Sequence, residues 1–258
     1  VAVVTGGASG IGRAMAEAFR DAGMTVVIAD VEESALANTA SELGVTGVRV
    51  DVTKEADLND LAVLVRDRFG TCHLLCNNAG VGGGGVLSEL TMKDWKWVVD
   101  VNLWGVIHGL QAFLPMLTGN ADGGHVVNTA SMAGLSPLPG AAPYAATKYA
   151  VVGISETMRE ELRGTKVGVS VLCPGFVKTN IFHSQRNRPQ ELRNEKKKTA
   201  ARTANEDMIR IVNETAIDPR EVAGKVLNAV RNDEFWIITH PDLLEPYRVR
   251  NRELHGPC

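Results

Sequence analysis

The feature that most constrains the fold is an alternation of short apolar runs with longer amphipathic stretches. Residues 1–6 begin with an apolar run, residues 12–22 follow a helical pattern, and a second apolar run ends at Asp30. This order predicts a β-α-β unit. Because the apolar runs are nearly continuous and rich in β-branched residues, we expect a parallel sheet that helices cover on both faces.

The alternation continues to residue 239 and predicts a doubly wound α/β domain with about seven parallel strands. The chain of 258 residues is short for two domains, so we expect one domain over residues 1–258. Further strands are predicted near 48–51, 73–80, 125–131, 167–175 and 235–239, and further helices near 55–69, 102–117 and 144–163.

Between residues 181 and 214 the alternation stops, and the composition becomes polar with mixed charge. The segment follows a predicted strand, and ligands of open α/β sheets bind beyond the carboxyl ends of the strands. We therefore expect 181–214 to form a mobile lid over the substrate. Its lysine run, 196–198, is expected to be a solvated surface because acidic residues are interspersed around it.

The charge balance indicates the class of partner. Lysine and arginine together number 27 against 30 acidic residues, a net charge of -3, so no nucleic-acid partner is expected and a small-molecule substrate is favoured. No run approaches the roughly 20 apolar residues of a membrane helix, and no signal-peptide pattern is present, so we expect a cytoplasmic protein without a membrane partner. Since Val1 lies inside a predicted strand, we expect residues before it.

The four cysteines, Cys72, Cys76, Cys173 and Cys258, lack the paired spacing of zinc sites, so no metal site is expected. Cys72 and Cys76 lie on one predicted strand, where four residues span roughly 13 Å. That separation excludes a disulfide between them. We expect all four to be free thiols.

A glycine-rich turn, TGGASGIG at residues 5–12, lies where the first strand meets the first helix. Gly6, Gly10 and Gly12 let the backbone approach a pyrophosphate, whose charge the helix N-terminus stabilises. Asp30, at the end of the second strand, is placed to accept hydrogen bonds from both ribose hydroxyls of an adenosine. Its carboxylate would repel the 2′-phosphate of NADP, so NAD is the expected cofactor, although Arg13 near the turn leaves NADP open.

The motif YAATK places Tyr144 and Lys148 on one helix face, one turn apart. A lysine ammonium, joined by the positive charge of oxidised nicotinamide, stabilises a phenolate and lowers the tyrosine pKa from about 10. Tyr144 is then a candidate general base that takes the proton of an alcohol while a hydride leaves for the cofactor. Ser131 follows an apolar strand, and its hydroxyl is a candidate donor to a substrate oxygen opposite the tyrosine.

Taken in order, TGGASGIG, NNAG, the serine of NTAS, YAATK and PGFVKT resemble the short-chain dehydrogenase/reductase family over nearly the whole chain. The resemblance implies a Rossmann-type fold and a catalytic tetrad of Asn102, Ser131, Tyr144 and Lys148. It implies that Tyr144 is the acid or base, that Lys148 also holds the nicotinamide ribose, and that Asn102 helps to order a water in a proton relay.

The resemblance also implies the cofactor contacts. Asp51 and Val52 would meet the adenine, and Ser9 and Ile11 would approach the phosphates. The residues implied along the dinucleotide and around the nicotinamide are Asn78, Ala79, Gly80, Pro174, Gly175, Val177 and Thr179. The run of glycines at 82–85 departs from the family pattern, and we expect it to be flexible.

Leu138 and Phe176, with Ser131 and Tyr144, are the expected substrate contacts. Their mostly apolar surroundings favour a hydrophobic or cyclic secondary alcohol, steroid-like or terpene-like. The resemblance further implies a homo-oligomer, a tetramer or a dimer, in which helices at 103–117 and 144–163 pack against their copies. A monomer is the alternative.

Three other functions are weighed against this one. An NADP-dependent carbonyl reductase would share the fold and differ in the role of Asp30. An NAD-binding sensor without catalysis would need the glycine turn but would have no use for a complete tetrad. A metal-dependent dehydrogenase is not favoured, because no cysteine and histidine cluster has the spacing of metal ligands.

Overall fold

A computed structural model describes residues 1–195 and 215–255, which form a seven-stranded parallel sheet. Its order is β3-β2-β1-β4-β5-β6-β7, and every neighbouring pair is parallel. This confirms the predicted doubly wound, Rossmann-type sheet. The strands are β1 (Ala2–Thr5), β2 (Val26–Asp30), β3 (Thr46–Arg49), β4 (Leu74–Asn77), β5 (Gly124–Thr129), β6 (Val167–Cys173) and β7 (Trp236–Ile238).

The α-helices within the described residues are α1 (Gly10–Asp21), α2 (Glu33–Leu43), α3 (Glu55–Phe69), α4 (Met92–Val99), α5 (Gly105–Gly119), α6 (Ala142–Glu161), α7 (Pro219–Asn232) and α8 (Glu245–His255). Helix α3 has the predicted bounds. The predicted helix at 102–117 is not one regular helix, because Asp100–Trp104 forms a π-helical turn that joins α4 to α5. Such turns within helices are rare and are frequent at functional sites.

The core has two apolar clusters, one on each face of the sheet, because side chains alternate between the faces along each strand. On β1, Val3 belongs to one cluster and Val4 to the other. Helices α3, α5 and α6 cover the first face, and α1, α2 and α7 cover the second. The prediction of helices on both faces is confirmed.

The strand order reverses between β1 and β4, and ligands of such sheets bind in the crevice at that point. The ends of the two strands are joined there by side chains. The Thr5 hydroxyl accepts hydrogen bonds from the backbone N–H groups of Asn78 and Ala79 at 3.0 and 3.1 Å, and the Asn78 side-chain amide donates to the Thr5 carbonyl at 3.0 Å.

The prediction for the strand that carries the cysteines was wrong at its start. The pairing of β1 with β4 begins where Ala2 lies opposite Leu74, so Cys72 precedes β4. The distance between Cys72 and Cys76 that was expected for two residues of one strand therefore does not apply. Cys72, Cys76 and Cys173 are buried free thiols, as expected. Cys258 lies outside the described residues.

Only part of the predicted lid is described. Residues 181–195 contain two short 3-10 helices, Ile181–Asn187 and Gln190–Leu192. The lysine run 196–198 and the rest of the lid to 214 lie outside the described residues. No helix in the two described ranges is long and apolar enough to cross a membrane.

Candidate active site

The glycine-rich turn is built for close approach of backbone to backbone. Gly6 and Gly10 have φ angles of 65° and 54°, which favour glycine. A Cβ atom on Gly12 would lie 2.1 Å from the Gly6 carbonyl oxygen. Helix α1 begins at Gly10, and its N-cap residue Ser9 makes no side-chain capping hydrogen bond. Because N–H groups in a first helical turn have no partner within the helix, this end of α1 fits a pyrophosphate.

Asp30 lies beside this turn at the end of β2. Its carboxylate accepts hydrogen bonds from the backbone N–H groups of Ala8 and Glu32, both at 3.1 Å. Burial raises the pKa of Asp30, although these hydrogen bonds oppose the shift. Arg13, whose positive charge near the turn left NADP possible as the cofactor, donates to the Glu42 carboxylate on α2 at 2.6 Å. Its charge is therefore already paired with an acidic side chain.

The predicted adenine and dinucleotide residues also lie at strand ends. Asp51 follows β3, and its carboxylate accepts from the hydroxyl of Thr53 at 2.7 Å. Val52 is buried against α5, where a Cβ on Gly105 would lie 2.8 Å from its side chain. A Cβ on Gly6 would lie 2.8 Å from the Cα of Ala79, so the glycine turn and the NNAG segment are in contact.

The four predicted tetrad residues come together at the ends of β4 and β5. Lys148 Nζ donates to the Thr129 carbonyl at 2.8 Å and lies 5.6 Å from the ring centroid of Tyr144. A Cβ on Gly80 would lie 3.4 Å from Asn102 Oδ1 and 3.7 Å from Lys148 Nζ. The Ser131 hydroxyl accepts from the Ala133 N–H at 3.1 Å, and it lies near enough to the Tyr144 phenol to lower the pKa of that phenol.

Burial shifts the two titratable groups of the tetrad in opposite directions. It raises the pKa of the Tyr144 phenol, against a hydrogen bond with Ser131 that lowers it. It lowers the pKa of Lys148 to about 8. The net shift of the Tyr144 pKa is therefore upward, because burial outweighs the groups that favour the phenolate, and the predicted lowering requires in addition the positive charge that oxidised nicotinamide brings when bound.

The side chain of Asn102 is fully engaged by the loop after β4. Its Oδ1 accepts from the Val81 N–H at 2.8 Å and its Nδ2 donates to the Val81 carbonyl at 2.9 Å. This pair of hydrogen bonds fixes the loop against the π-helical turn. The water-ordering role of Asn102 stays a prediction.

The segment after β6 runs from the tetrad to the glycine turn. The Pro174 carbonyl accepts from the Met132 N–H at 2.9 Å, and the Gly175 N–H donates to the Thr239 hydroxyl at 3.0 Å. Val177 is buried and pairs with Ile217 in an isolated parallel bridge. A Cβ on Gly10 would lie 3.0 Å from Thr179 Cγ2. Thr239 supports the predicted nicotinamide segment but was not predicted itself, because it lies in another strand region.

Three glycines of the run at 82–85 lie close to other parts of the chain, and the expected flexibility of the run stays a prediction. Added Cβ atoms would lie 2.8 Å from the Ile181 carbonyl at Gly82, 2.3 Å from Val98 at Gly83 and 2.1 Å from the Gly140 carbonyl at Gly84. The glycines are thus required where the lid, α4 and the loop before α6 meet. We call residues 82–85 the glycine strip.

An apolar cluster lies beside the tetrad, formed by Val81, Trp97 and Val98, with Tyr144 and Leu192 packed against it. Phe176 is partly buried, and Leu138 is 46% exposed. Sequence reasoning missed Trp97, because α4 was not predicted.

Three lid contacts were also missed. Ser184 accepts from the Gly82 N–H at 3.1 Å, Arg186 pairs with Glu32, and Arg188 pairs with Asp94 at 2.8 Å. No local sequence signal indicates these pairs, because their partners lie on distant parts of the chain. Within residues 1–195 and 215–255, no group of three or more His, Cys, Asp or Glu side chains could hold a metal ion.

Comparison with known proteins extends these observations. Residues 1–190 match the family model described as short chain dehydrogenase. The "CLA biosynthesis dehydrogenase/reductase" of Lactiplantibacillus plantarum is 32% identical, over 94% of this chain and 88% of that protein. The "1-deoxy-11-beta-hydroxypentalenate dehydrogenase" of Streptomyces exfoliatus is 37% identical, over 98% of this chain and 86% of the relative.

Among solved structures, a short chain dehydrogenase/reductase from Burkholderia phymatum in complex with NAD superposes with a TM-score of 0.96. It is 42% identical in sequence, and the match covers 100% of this chain and 96% of that one.

Proposed function

The chain belongs to the short-chain dehydrogenase family of oxidoreductases, and we propose that it transfers a hydride between NAD(H) and a secondary alcohol or its ketone. The observation that carries the proposal is the convergence of Ser131, Tyr144 and Lys148 beside the crevice at the strand-order reversal. In this proposal nicotinamide supplies the hydride acceptor or donor when it is bound.

The protein's own residues orient the substrate and move its proton. Ser131 donates a hydrogen bond to the substrate oxygen, and Tyr144 takes the hydroxyl proton during oxidation or returns it during reduction. Lys148 is buried within 5.6 Å of the Tyr144 ring centroid, so its ammonium stabilises the phenolate form. Asn102 keeps the loop after β4 in place through Val81.

NAD is favoured over NADP by the charges at the end of β2. Asp30 lies at the glycine turn, and Arg13 is already paired with Glu42. A 2′-phosphate there would meet the Asp30 carboxylate, and Arg13 is engaged by Glu42. The Burkholderia phymatum structure, which contains NAD, supports the same cofactor.

The substrate is proposed to be a hydrophobic or cyclic secondary alcohol. The cluster of Val81, Trp97 and Val98, against which Tyr144 packs, makes the surroundings of the tyrosine apolar, and such surroundings favour an apolar molecule. One relative is named for a hydroxypentalenate and another for CLA biosynthesis, which supports a largely apolar substrate.

The test is a survey of secondary alcohols with NAD and with NADP, followed through the absorbance of reduced nicotinamide. We expect terpenoid and other cyclic alcohols to be oxidised with NAD, and sugars and small hydroxy acids such as lactate to be poor substrates. Tyr144→Phe should abolish the activity, whereas Tyr247→Phe on α8 serves as the matched control. Equal activity of the Tyr144→Phe protein would refute the proposed mechanism.

We also propose a homo-oligomer whose interface involves α5 and α6. At the junction of the π-helical turn with α5, Trp104 is 48% exposed, which leaves a large apolar side chain for a neighbouring subunit to cover. Light scattering coupled to size-exclusion chromatography would distinguish a tetramer or dimer from a monomer.

A further inference from the structure

Arg188, in the described part of the lid, is a buried arginine with an unused hydrogen-bonding edge. It is only 5% exposed, and its Nε and Nη2 atoms are buried without a hydrogen-bond partner among the described residues. Buried polar groups in folded proteins nearly always have partners, so an arginine with two unpaired donors indicates that something else binds there.

The guanidinium is held firmly by its remaining contacts. Nη1 donates to Asp94 Oδ1 at 2.8 Å, and the guanidinium carbon lies 5.2 Å from the ring centroid of Trp97. Asp94 is itself fixed, since Asn194 donates to Oδ1 and Thr91 donates to Oδ2 from both its N–H and its hydroxyl. The unused edge is therefore preorganised.

The geometry of that edge selects its ligand. Nε–H and one N–H of Nη2 are parallel donors on one side of the guanidinium plane, and this spacing matches the two oxygens of a carboxylate. Arg186, two residues earlier, uses the same edge in this way: its Nε and Nη2 donate to the two carboxylate oxygens of Glu32. In Arg188 the same edge has no hydrogen-bond partner within residues 1–195 and 215–255.

The position of Arg188 relates it to the proposed chemistry. Trp97 belongs to the apolar cluster against which Tyr144 packs, and Arg188 lies over the Trp97 ring. Arg188 and Tyr144 are therefore two polar groups in contact with one apolar cluster. A substrate bound beside that cluster with its hydroxyl at Tyr144 can carry an acidic group to Arg188.

We propose that Arg188 binds the carboxylate of the substrate, which is an apolar secondary alcohol that carries a carboxylate remote from its carbinol carbon. This assignment rests on the oxidoreductase activity proposed above and narrows its substrate class. Because Asp94 already balances the charge of Arg188, recognition depends on the paired hydrogen bonds more than on net charge.

The test uses hydroxydodecanoates with the carbinol at successive carbons, each compared with its methyl ester. In the wild-type protein the acid with the matching spacing should have a kcat/KM about 10- to 100-fold above that of its ester, mainly through KM. Arg188→Met should remove that preference, so that the kcat/KM ratio of each acid to its own ester falls to about one. An acid-to-ester ratio near one in the wild-type protein, at every carbinol position, would overturn the proposal.

Two further variants separate recognition from lid structure. Arg188→Lys keeps a charge for Asp94 but has no planar pair of donors, so the acid preference should fall while the protein stays folded. Asp94→Asn removes the ion pair and leaves the Arg188 edge, so the acid preference should persist. If Asp94→Asn abolished the preference as fully as Arg188→Met, Arg188 would be a structural support only, and the proposal would be wrong.

Calorimetric binding of dodecanoate, which has no secondary hydroxyl, tests the same edge without turnover. Wild-type protein should bind it about 10-fold or more tightly than Arg188→Met. If no alcohol is oxidised but dodecanoate binding depends on Arg188, the proposed reaction fails and the carboxylate site stands. If alcohols are oxidised but dodecanoate binds both proteins equally, the carboxylate site fails and the reaction stands.

Discussion

Arg186 binds both carboxylate oxygens of Glu32, a residue 154 positions earlier in the chain. Asn187 adds a hydrogen bond to the same carboxylate at 2.8 Å, and the hydrogen bond from Arg186 is the main cause that lowers the pKa of Glu32. Glu32 lies two residues after Asp30, whereas Arg186 follows β6. The pair therefore joins the lid to the adenosine side of the proposed cofactor crevice.

We predict that Glu32→Gln speeds the release of NADH. The ion pair is partly exposed, so its loss should raise the dissociation rate only about 2- to 5-fold. Stopped-flow fluorescence of bound NADH measures this rate. Glu33→Gln is the matched control, because Glu33 pairs with Arg49 on the surface and not with the lid. Equal release rates in wild-type and Glu32→Gln proteins would show that this contact does not retain the cofactor.

We predict that Asp30→Ala reduces the preference for NAD over NADP by about 10- to 100-fold, because a charged hydrogen-bond acceptor for the ribose is lost. The variant also loses the contact with the Ala8 N–H, so binding of both cofactors should weaken. Asp30→Asn retains an acceptor for Ala8 and removes only the charge. The ratio of kcat/KM values for the two cofactors is the measurement, and an unchanged ratio in both variants would argue against the assignment of Asp30.

We predict that ketone reduction by NADH slows as the pH rises through about 8, where buried Lys148 loses its proton. Below that pH the ammonium stabilises the phenolate left on Tyr144, and above it this charge is absent. Lys148→Met should lower kcat/KM by about 100-fold at neutral pH and remove the decline. Lys148→Arg, charged throughout, should also show no decline. If the rate of ketone reduction still declined above pH 8 in both variants, another group would be its cause and the prediction would be wrong.

We predict that buried His125 makes the fold sensitive to acid. Ser170 gives its hydroxyl proton to the Glu234 carbonyl, so His125 Nε2 donates to Ser170 at 2.7 Å, while Nδ1 lies 3.7 Å from the Asp233 carboxylate. Burial lowers the pKa of His125 from 6.5 to about 4. The unfolded chain thus binds a proton between these values that the native protein does not, and stability falls as the pH drops from 6.5 to 4.

The size of this effect can be measured by urea unfolding at pH 7 and pH 4.5. The wild-type protein should lose about 2 to 3 kcal/mol more than His125→Gln, which keeps a donor for Ser170 without titrating. His183→Gln replaces an exposed histidine and should behave like the wild type. Equal losses in the wild-type and His125→Gln proteins would contradict the prediction.

Much of the fold was predictable because the sheet is buried on both faces. Strands such as Val167–Cys173 and helices such as Glu55–Phe69 have strong apolar patterns that tertiary contacts do not override. Helix α2 was missed, since its buried positions are only Leu36, Thr39 and Leu43 and one of these is polar. The end of β4 was placed too late, because its pairing ends at Cys76 with β1 and at Asn77 with β5.

The tetrad was predictable because its motifs are local or lie at strand ends. Tyr144 and Lys148 are one helical turn apart, and Ser131 is the second residue after β5. The contacts of Arg186 and Arg188 could not be predicted in the same way. Their partners, Glu32 and Asp94, are 154 and 94 residues away, and only the fold brings each pair together.

The glycine strip has a consequence for how the enzyme could change its substrate. Three elements around the site meet at residues 82–84 with backbone or side-chain atoms at distances that leave no room for a methyl group. The glycines carry only a hydrogen atom where other residues carry a side chain, and this allows the three elements to lie so close together. A single alanine at 83 or 84 would push the neighbouring elements apart. A laboratory evolution experiment that selects for bulkier substrates could therefore widen the site by adding one methyl group.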